Sequence, residues 1–140
     1  MKRVVITGAG TINALGRSVP ATLAAMREGK CGIGPLAFRD VERPAVRIGG
    51  QVQDYDPEAE FNRQQIALYD RFTQFTLLAA REAIAQSGLE FHGELAARAG
   101  VVLGTAGGGV QTWDENYRAV YEEGKNRVHP FVVPKLMNNA

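Results

Sequence analysis

The run Val101-Val102-Leu103 enters Gly104-Thr105-Ala106-Gly107-Gly108-Gly109 and leaves through Val110 into Gln111-Thr112-Trp113-Asp114-Glu115-Asn116-Tyr117. A short apolar run, a glycine turn and a polar–aromatic segment predict strand, tight turn and helix in that order. Successive glycines leave the backbone bare, so either something approaches it closely or it takes φ/ψ values closed to other residues. In an α/β protein such a turn lies at the carboxyl end of a strand, where ligands bind. A second turn of this kind follows Val4-Val5-Ile6, at Thr7-Gly8-Ala9-Gly10. Both apolar runs are continuous, which predicts strands buried on both faces, as in a parallel sheet.

The intervening chain is read from the same signals. Val19–Gly29 is expected to be a helix, with Pro20 in its first turn, Leu23 and Met26 on one face and Gly29 as its stop. The stretch from Gly32 to Arg47 is irregular, Val46–Val52 is a short strand broken at Gly49-Gly50, and Asp54-Tyr55-Asp56-Pro57 is a turn. Asp70–Ser87 carries the strongest helical pattern, capped by Asp70 and ended by Gly88. Phe72, Phe75, Ala79 and Ala83 share one stripe, and Leu77, Leu78 and Ile84 add apolar surface, so this helix is expected to be mostly buried. Trp113–Glu123 is the helix after the glycines, and Pro134 fits the first position of a last helix. Two central strands and a doubtful short one would leave a sheet with open edges, so the 140 residues read as the first part of a larger domain, with no internal boundary.

Charge and cysteine usage narrow the function classes. Sixteen basic residues against fifteen acidic ones give a formal charge of +1, which favours neither nucleic acid nor an anionic membrane surface. A single cysteine, Cys31, excludes an intrachain disulfide and suits a reducing, cytoplasmic setting. The apolar start is too short for a signal peptide, and no run reaches membrane-spanning length.

Several chemistries fail on spacing. A G-x-G-x-x-G dinucleotide fingerprint starting at Gly8 needs glycine at position 13, which is Asn13. The short-chain dehydrogenase form needs glycines where Ile12 and Ala14 stand. A phosphate-binding loop would need Lys-Ser or Lys-Thr after its glycines. Lys30 beside Cys31 could lower a thiol pKa, but an activated cysteine also needs an orienting base. His92 and His129 sit in turns without metal-ligand spacing, so no metal site and no cofactor are expected. Asp114-Glu115 and Glu122-Glu123 read as solvated helix faces, and Trp113 with Tyr117 as core packing.

The ordered set of motifs resembles a family. Val4–Gly10, Gly16 and Arg27-Glu28-Gly29-Lys30-Cys31-Gly32-Ile33 are similar to the start of a β-ketoacyl-[acyl-carrier-protein] synthase of the elongating, synthase I/II-like type. Asp70-Arg71-Phe72-Thr73-Gln74-Phe75 with Ala79-Ala80-Arg81-Glu82-Ala83, then Gly104–Gly109, then Pro130-Phe131-Val132-Val133-Pro134 continue it along the whole chain. The resemblance implies the amino-terminal part of a thiolase-like layered α/β/α/β/α fold, paired as a homodimer or a ketosynthase-like heterodimer. It implies decarboxylative condensation of an acyl thioester with malonyl-carrier protein in fatty-acid or polyketide synthesis. A cysteine would take the acyl group and two histidines would assist. All three would lie beyond residue 140, so no catalytic residue falls within this chain and the chain alone would be inactive. Cys31 stands where relatives often carry serine and is not the nucleophile.

The resemblance also assigns lesser roles. Gly107 and Phe131, Val132 and Val133 would line the acyl pocket, which glycine widens where some relatives carry isoleucine. Lys125 and Arg127 would meet the acidic acyl carrier protein, together with Arg63. The sequence departs from the family beside Arg63, with Gln64, Ala67 and Leu68 where a basic cluster is common. Phe72 and Phe75 would face the dimer interface. A non-catalytic ketosynthase-like partner of the chain-length-factor type is the alternative, and a dinucleotide-binding domain a weaker one.

Overall fold

A computed structural model describes residues 3–137. The elements in order are helix α1 (Val19–Arg27), strands β1 (Gly34–Pro35) and β2 (Ile48–Gly49), a 3-10 turn at Pro57–Ala59, and helices α2 (Arg63–Leu68), α3 (Arg71–Ser87), α4 (Gly93–Arg98), α5 (Val110–Tyr121) and α6 (Val132–Leu136). They group into two compact units. One holds the residues up to Tyr55 with Leu77–Leu89, the other Asp56–Thr76 with the residues from Glu90 on.

In the first unit, Ser18 caps α1 by accepting a hydrogen bond from the Ala21 N–H at 3.2 Å, and Pro20 occupies its first turn. Gly29 ends it with φ of 67°, a value that glycine adopts without penalty. β1 and β2 pair antiparallel, Gly34 opposite Gly49 and Pro35 opposite Ile48, so the expected strand at Val46–Val52 is reduced to its centre. The expected buried strand at Val4–Ile6 is not formed: the run is irregular and Val4 is 97% exposed. A strand obtains its hydrogen bonds from neighbours, and among the described residues no other segment pairs with this one.

The segment after it is held by side chains instead. Ala9 N–H donates to Gln86 Oε1 at 2.6 Å, Thr11 N–H to Glu82 Oε2 at 2.9 Å, and Val19 N–H to Glu82 Oε1 at 2.7 Å. Gly8 and Gly10 let this segment lie directly on α3: a Cβ on Gly8 would collide with the Ala83 carbonyl oxygen, and one on Gly10 with that of Ala79. Asn13 donates to the Thr11 and Thr22 hydroxyls and accepts from Leu15 N–H, bracing the tight Asn13–Gly16 turn.

In the second unit, Asp56 caps the 3-10 turn, and Asn62 with Gln65 forms a reciprocal capping box on α2. Phe61 is buried edge-on to Tyr69, with ring centroids 6.1 Å apart. Val101–Leu103, the second expected strand, is also irregular, with Val101 and Val102 fully exposed, for the same want of a partner. α4 stands where only a turn was expected, α5 begins at Val110 rather than Trp113, and α6 begins at Val132, which puts Pro134 inside its first turn.

α3 itself runs from Arg71 to Ser87, with Gly88 at φ of 63° as its stop. The burial expected of it is not reached: Phe72, Phe75, Leu77 and Leu78 are half-buried, and Gln74 is its one buried residue. Among the described apolar residues only Ala25 and Phe61 are buried.

Candidate functional site

The bare backbone of the glycine turn is approached by the chain itself. Gly108 takes φ of 60°, the left-handed region that disfavours any side chain. The Gly109 N–H donates to the Leu136 carbonyl at 2.9 Å, tying the turn to the end of α6. A Cβ on Gly109 would stand 2.8 Å from the Lys135 carbonyl oxygen and 3.0 Å from Asp70 Oδ2; one on Gly108 would stand 2.5 Å from the Leu136 oxygen.

Gly109 is the N-cap of α5 and has no side chain to satisfy the helix's first amides. Asp70 supplies the missing acceptor. Its Oδ2 takes the Thr112 N–H at 2.9 Å and the Thr112 hydroxyl at 2.5 Å, while Oδ1 takes the Phe72 N–H at 3.4 Å in the first turn of α3. Asp70 is 5% exposed and Thr112 2%. One buried carboxylate therefore caps two helices. The expected capping of α3 by Asp70 holds; its second partner, 42 positions along the chain, was not foreseen. The available signal is a glycine N-cap followed by threonine at the third helical position, which leaves that amide in need of an outside acceptor.

The turn forms one wall of an open concavity of about 630 Å³, lined by Thr105, Ala106, Gly107, Gly108, Trp113, Val133, Leu136 and Met137. Apart from Thr105 these are apolar residues and glycines, with no titratable group among them, so the concavity suits an alkyl chain. Of the residues expected to line one pocket, Gly107 and Val133 share this wall. Phe131 lines a neighbouring concavity of about 280 Å³, with Leu68, Tyr69, Phe72 and Leu103. Val132 faces a third of about 250 Å³, formed with Asn116, Tyr117, Val120, Tyr121 and Val128. Met137 lines both the first and the second. Trp113 stacks on Tyr117 at 5.4 Å and Tyr117 on Tyr121 at 5.5 Å, but all three are about half exposed or more, so the expected core packing of Trp113 and Tyr117 is instead an exposed aromatic ladder.

The other expected site residues lie apart from this wall. Arg63 opens α2 and is exposed. Lys125 follows α5 and pairs with Glu123 at 2.7 Å, and Arg127 is exposed two residues on. Phe75 lies in the first half of α3, with the Arg71 guanidinium 5.3 Å over its ring. Cys31 is exposed, and its Sγ accepts the Ile33 N–H at 3.4 Å. His92 precedes α4 beside Glu90, and the His129 Nδ1 accepts the Phe131 N–H at 3.2 Å. Among the described residues no group of three His, Cys, Asp or Glu side chains could hold a metal ion, and no helix is long and apolar enough to cross a membrane.

Comparison with known proteins gives a consistent picture. The family described as "Beta-ketoacyl synthase, N-terminal domain" matches residues 1–140. The chain is similar to "3-oxoacyl-[acyl-carrier-protein] synthase 2" of Staphylococcus aureus (strain N315), with 34% identity over 97% of this chain and 33% of that protein. It is similar to "Nodulation protein E" of Rhizobium sp. (strain N33), with 37% identity over 99% of this chain and 34% of that protein. The chain thus spans about a third of the curated relatives it matches. Among solved structures, "The ishigamide ketosynthase/chain length factor" superposes with a TM-score of 0.78 at 23% identity, over 97% of this chain and 34% of that one. That likeness fixes the fold as the amino-terminal part of the thiolase-like ketosynthase architecture.

Proposed function

The chain belongs to the β-ketoacyl synthase family, within its N-terminal domain, and on that premise we propose that it is the amino-terminal part of an acyl-carrier-protein-dependent condensing enzyme of fatty-acid or polyketide synthesis. The observation that carries the reading is the family match over residues 1–140. The geometry agrees with it: Gly107 and Val133 stand on one apolar wall, open enough for an acyl chain and without a titratable group.

Residues 1–140 form a single N-terminal part of the ketosynthase domain and contribute binding surface, while the reacting groups lie outside them. A cysteine beyond residue 140 takes the acyl group as a thioester, because a thiolate is a good acyl acceptor. Loss of CO2 from the malonyl group generates the carbanion without a strong base. Two histidines there stabilise the developing charge. No cofactor takes part. Gly107, Phe131, Val132 and Val133 border the acyl chain; Arg63, Lys125 and Arg127 meet the acidic carrier protein; Phe72 and Phe75 face the second subunit of a cytoplasmic dimer.

A non-catalytic partner subunit is the second reading, favoured by the likeness to a ketosynthase/chain length factor. The dinucleotide reading is set aside, because Gly8 and Gly10 are covered by the backbone of α3 and offer no room to a pyrophosphate. Intact-mass measurement of the protein after incubation with an acyl-carrier-protein thioester separates the first two. Gain of one acyl mass, lost again with hydroxylamine, is expected of the condensing enzyme. An unmodified protein that remains bound to an active ketosynthase would identify the partner subunit.

A further inference from the structure

We infer that Asp70 is a positioning residue for the acyl pocket, fixing the glycine wall and thereby the length of chain the pocket accepts. The inference rests on the reading of the concavity as that pocket. Asp70 does not line the concavity; it acts through the residues that do. Its Oδ2 holds the Thr112 N–H and hydroxyl, and Thr112 is bonded directly to Trp113, a wall residue. The same oxygen lies 3.0 Å from where a Gly109 Cβ would stand, and Gly109 is bonded to Gly108, another wall residue. Gly109 in turn donates to the Leu136 carbonyl, and Leu136 lines the same concavity.

Two residues of the wall, Gly107 and Gly108, are glycines, which resist bending less than any other residue. Left to themselves they would sample several shapes, and the pocket would have no defined depth. The missing side chain of Gly109 therefore does two things: it admits the carboxylate, and it makes the turn depend on it. A bond to a charged acceptor, buried at both ends, is among the stronger kinds available for such a task.

The test uses the complete enzyme with Asp70→Asn, Asp70→Ala, Thr112→Val and Thr112→Ser, each checked for folding by circular dichroism. Amide exchange at Thr112 reports the clamp, and kcat/KM across saturated acyl thioesters from short to long reports the pocket. Asp70→Ala should speed Thr112 exchange by roughly tenfold or more, since a bond to a charged group is lost, and should flatten the chain-length profile. Thr112→Val, which keeps the amide and loses the hydroxyl, should flatten it partly; Thr112→Ser should restore the parent profile. If Asp70→Ala does not fold, the two Thr112 variants decide alone. An active parent whose folded variants keep the parent length profile would overturn the inference and leave the proposed function intact. A parent that takes no acyl group would overturn the reading of the pocket and this inference with it.

Discussion

At Gly109 a single hydrogen atom in place of a side chain decides how three segments meet. Gly109→Ala would put a methyl 2.8 Å from the Lys135 carbonyl and 3.0 Å from Asp70 Oδ2, so α6 or the carboxylate must move. Overpacking of this kind costs about 1–3 kcal/mol, and urea denaturation of the complete protein should show a loss of that order. Glu82 poses the complementary case. It accepts from Thr11 N–H and Val19 N–H, so Glu82→Ala strips two amides of their acceptor. The expected loss is about 1–3 kcal/mol for each amide left unsatisfied, with Glu82→Gln retaining part of it. Equal stability of Glu82→Ala and the parent would show that water replaces the carboxylate without cost.

Among the elements, α1, α3, α5 and α6 were legible and α2 and α4 were not, while of the expected strands only Val46–Val52 forms, cut to Ile48–Gly49. Ser18, Pro20 and Gly29 bound α1 through contacts within a few residues, so the sequence alone locates it. Asp70 and Gly88 bound α3 in the same local way. Val4–Ile6 and Val101–Leu103 carry the composition of strands, yet a ladder is a property of two segments, and among the described residues neither has its second. α4 has no local start signal, because His92 places no side-chain cap on it. The site was legible in part: Gly107 and Val133 share a wall, whereas the Asp70–Thr112 bond depends on tertiary placement that no local pattern encodes. Two tests belong at this scale. Ser18→Ala should cost about 1 kcal/mol in chemical denaturation through loss of the cap on α1. Phe75→Asp, on the half-buried face of α3, should convert the proposed dimer of the complete protein to monomer in sedimentation; a surviving dimer would remove α3 from the proposed interface.

For the molecule as a whole, the sparse interior is the dominant fact. Among the described residues Ala25 and Phe61 are the buried apolar ones, while Val4, Ile6, Val101 and Val102 are about nine-tenths or more exposed. Burial of apolar area is the main favourable term in folding, so residues 1–140 expressed by themselves should melt broadly and aggregate. A sharp, cooperative transition from a monomer would contradict this. The aromatic ladder has a different consequence. Trp113 is the sole tryptophan of the sequence and lines the concavity, with Tyr117 and Tyr121 stacked behind it. Light absorbed by those tyrosines passes to the indole, whose emission colour follows the wetness of its surroundings. Residues 1–140 thus carry an intrinsic optical gauge: an alkyl chain settling against Trp113 would announce itself as a blue shift, with no label attached.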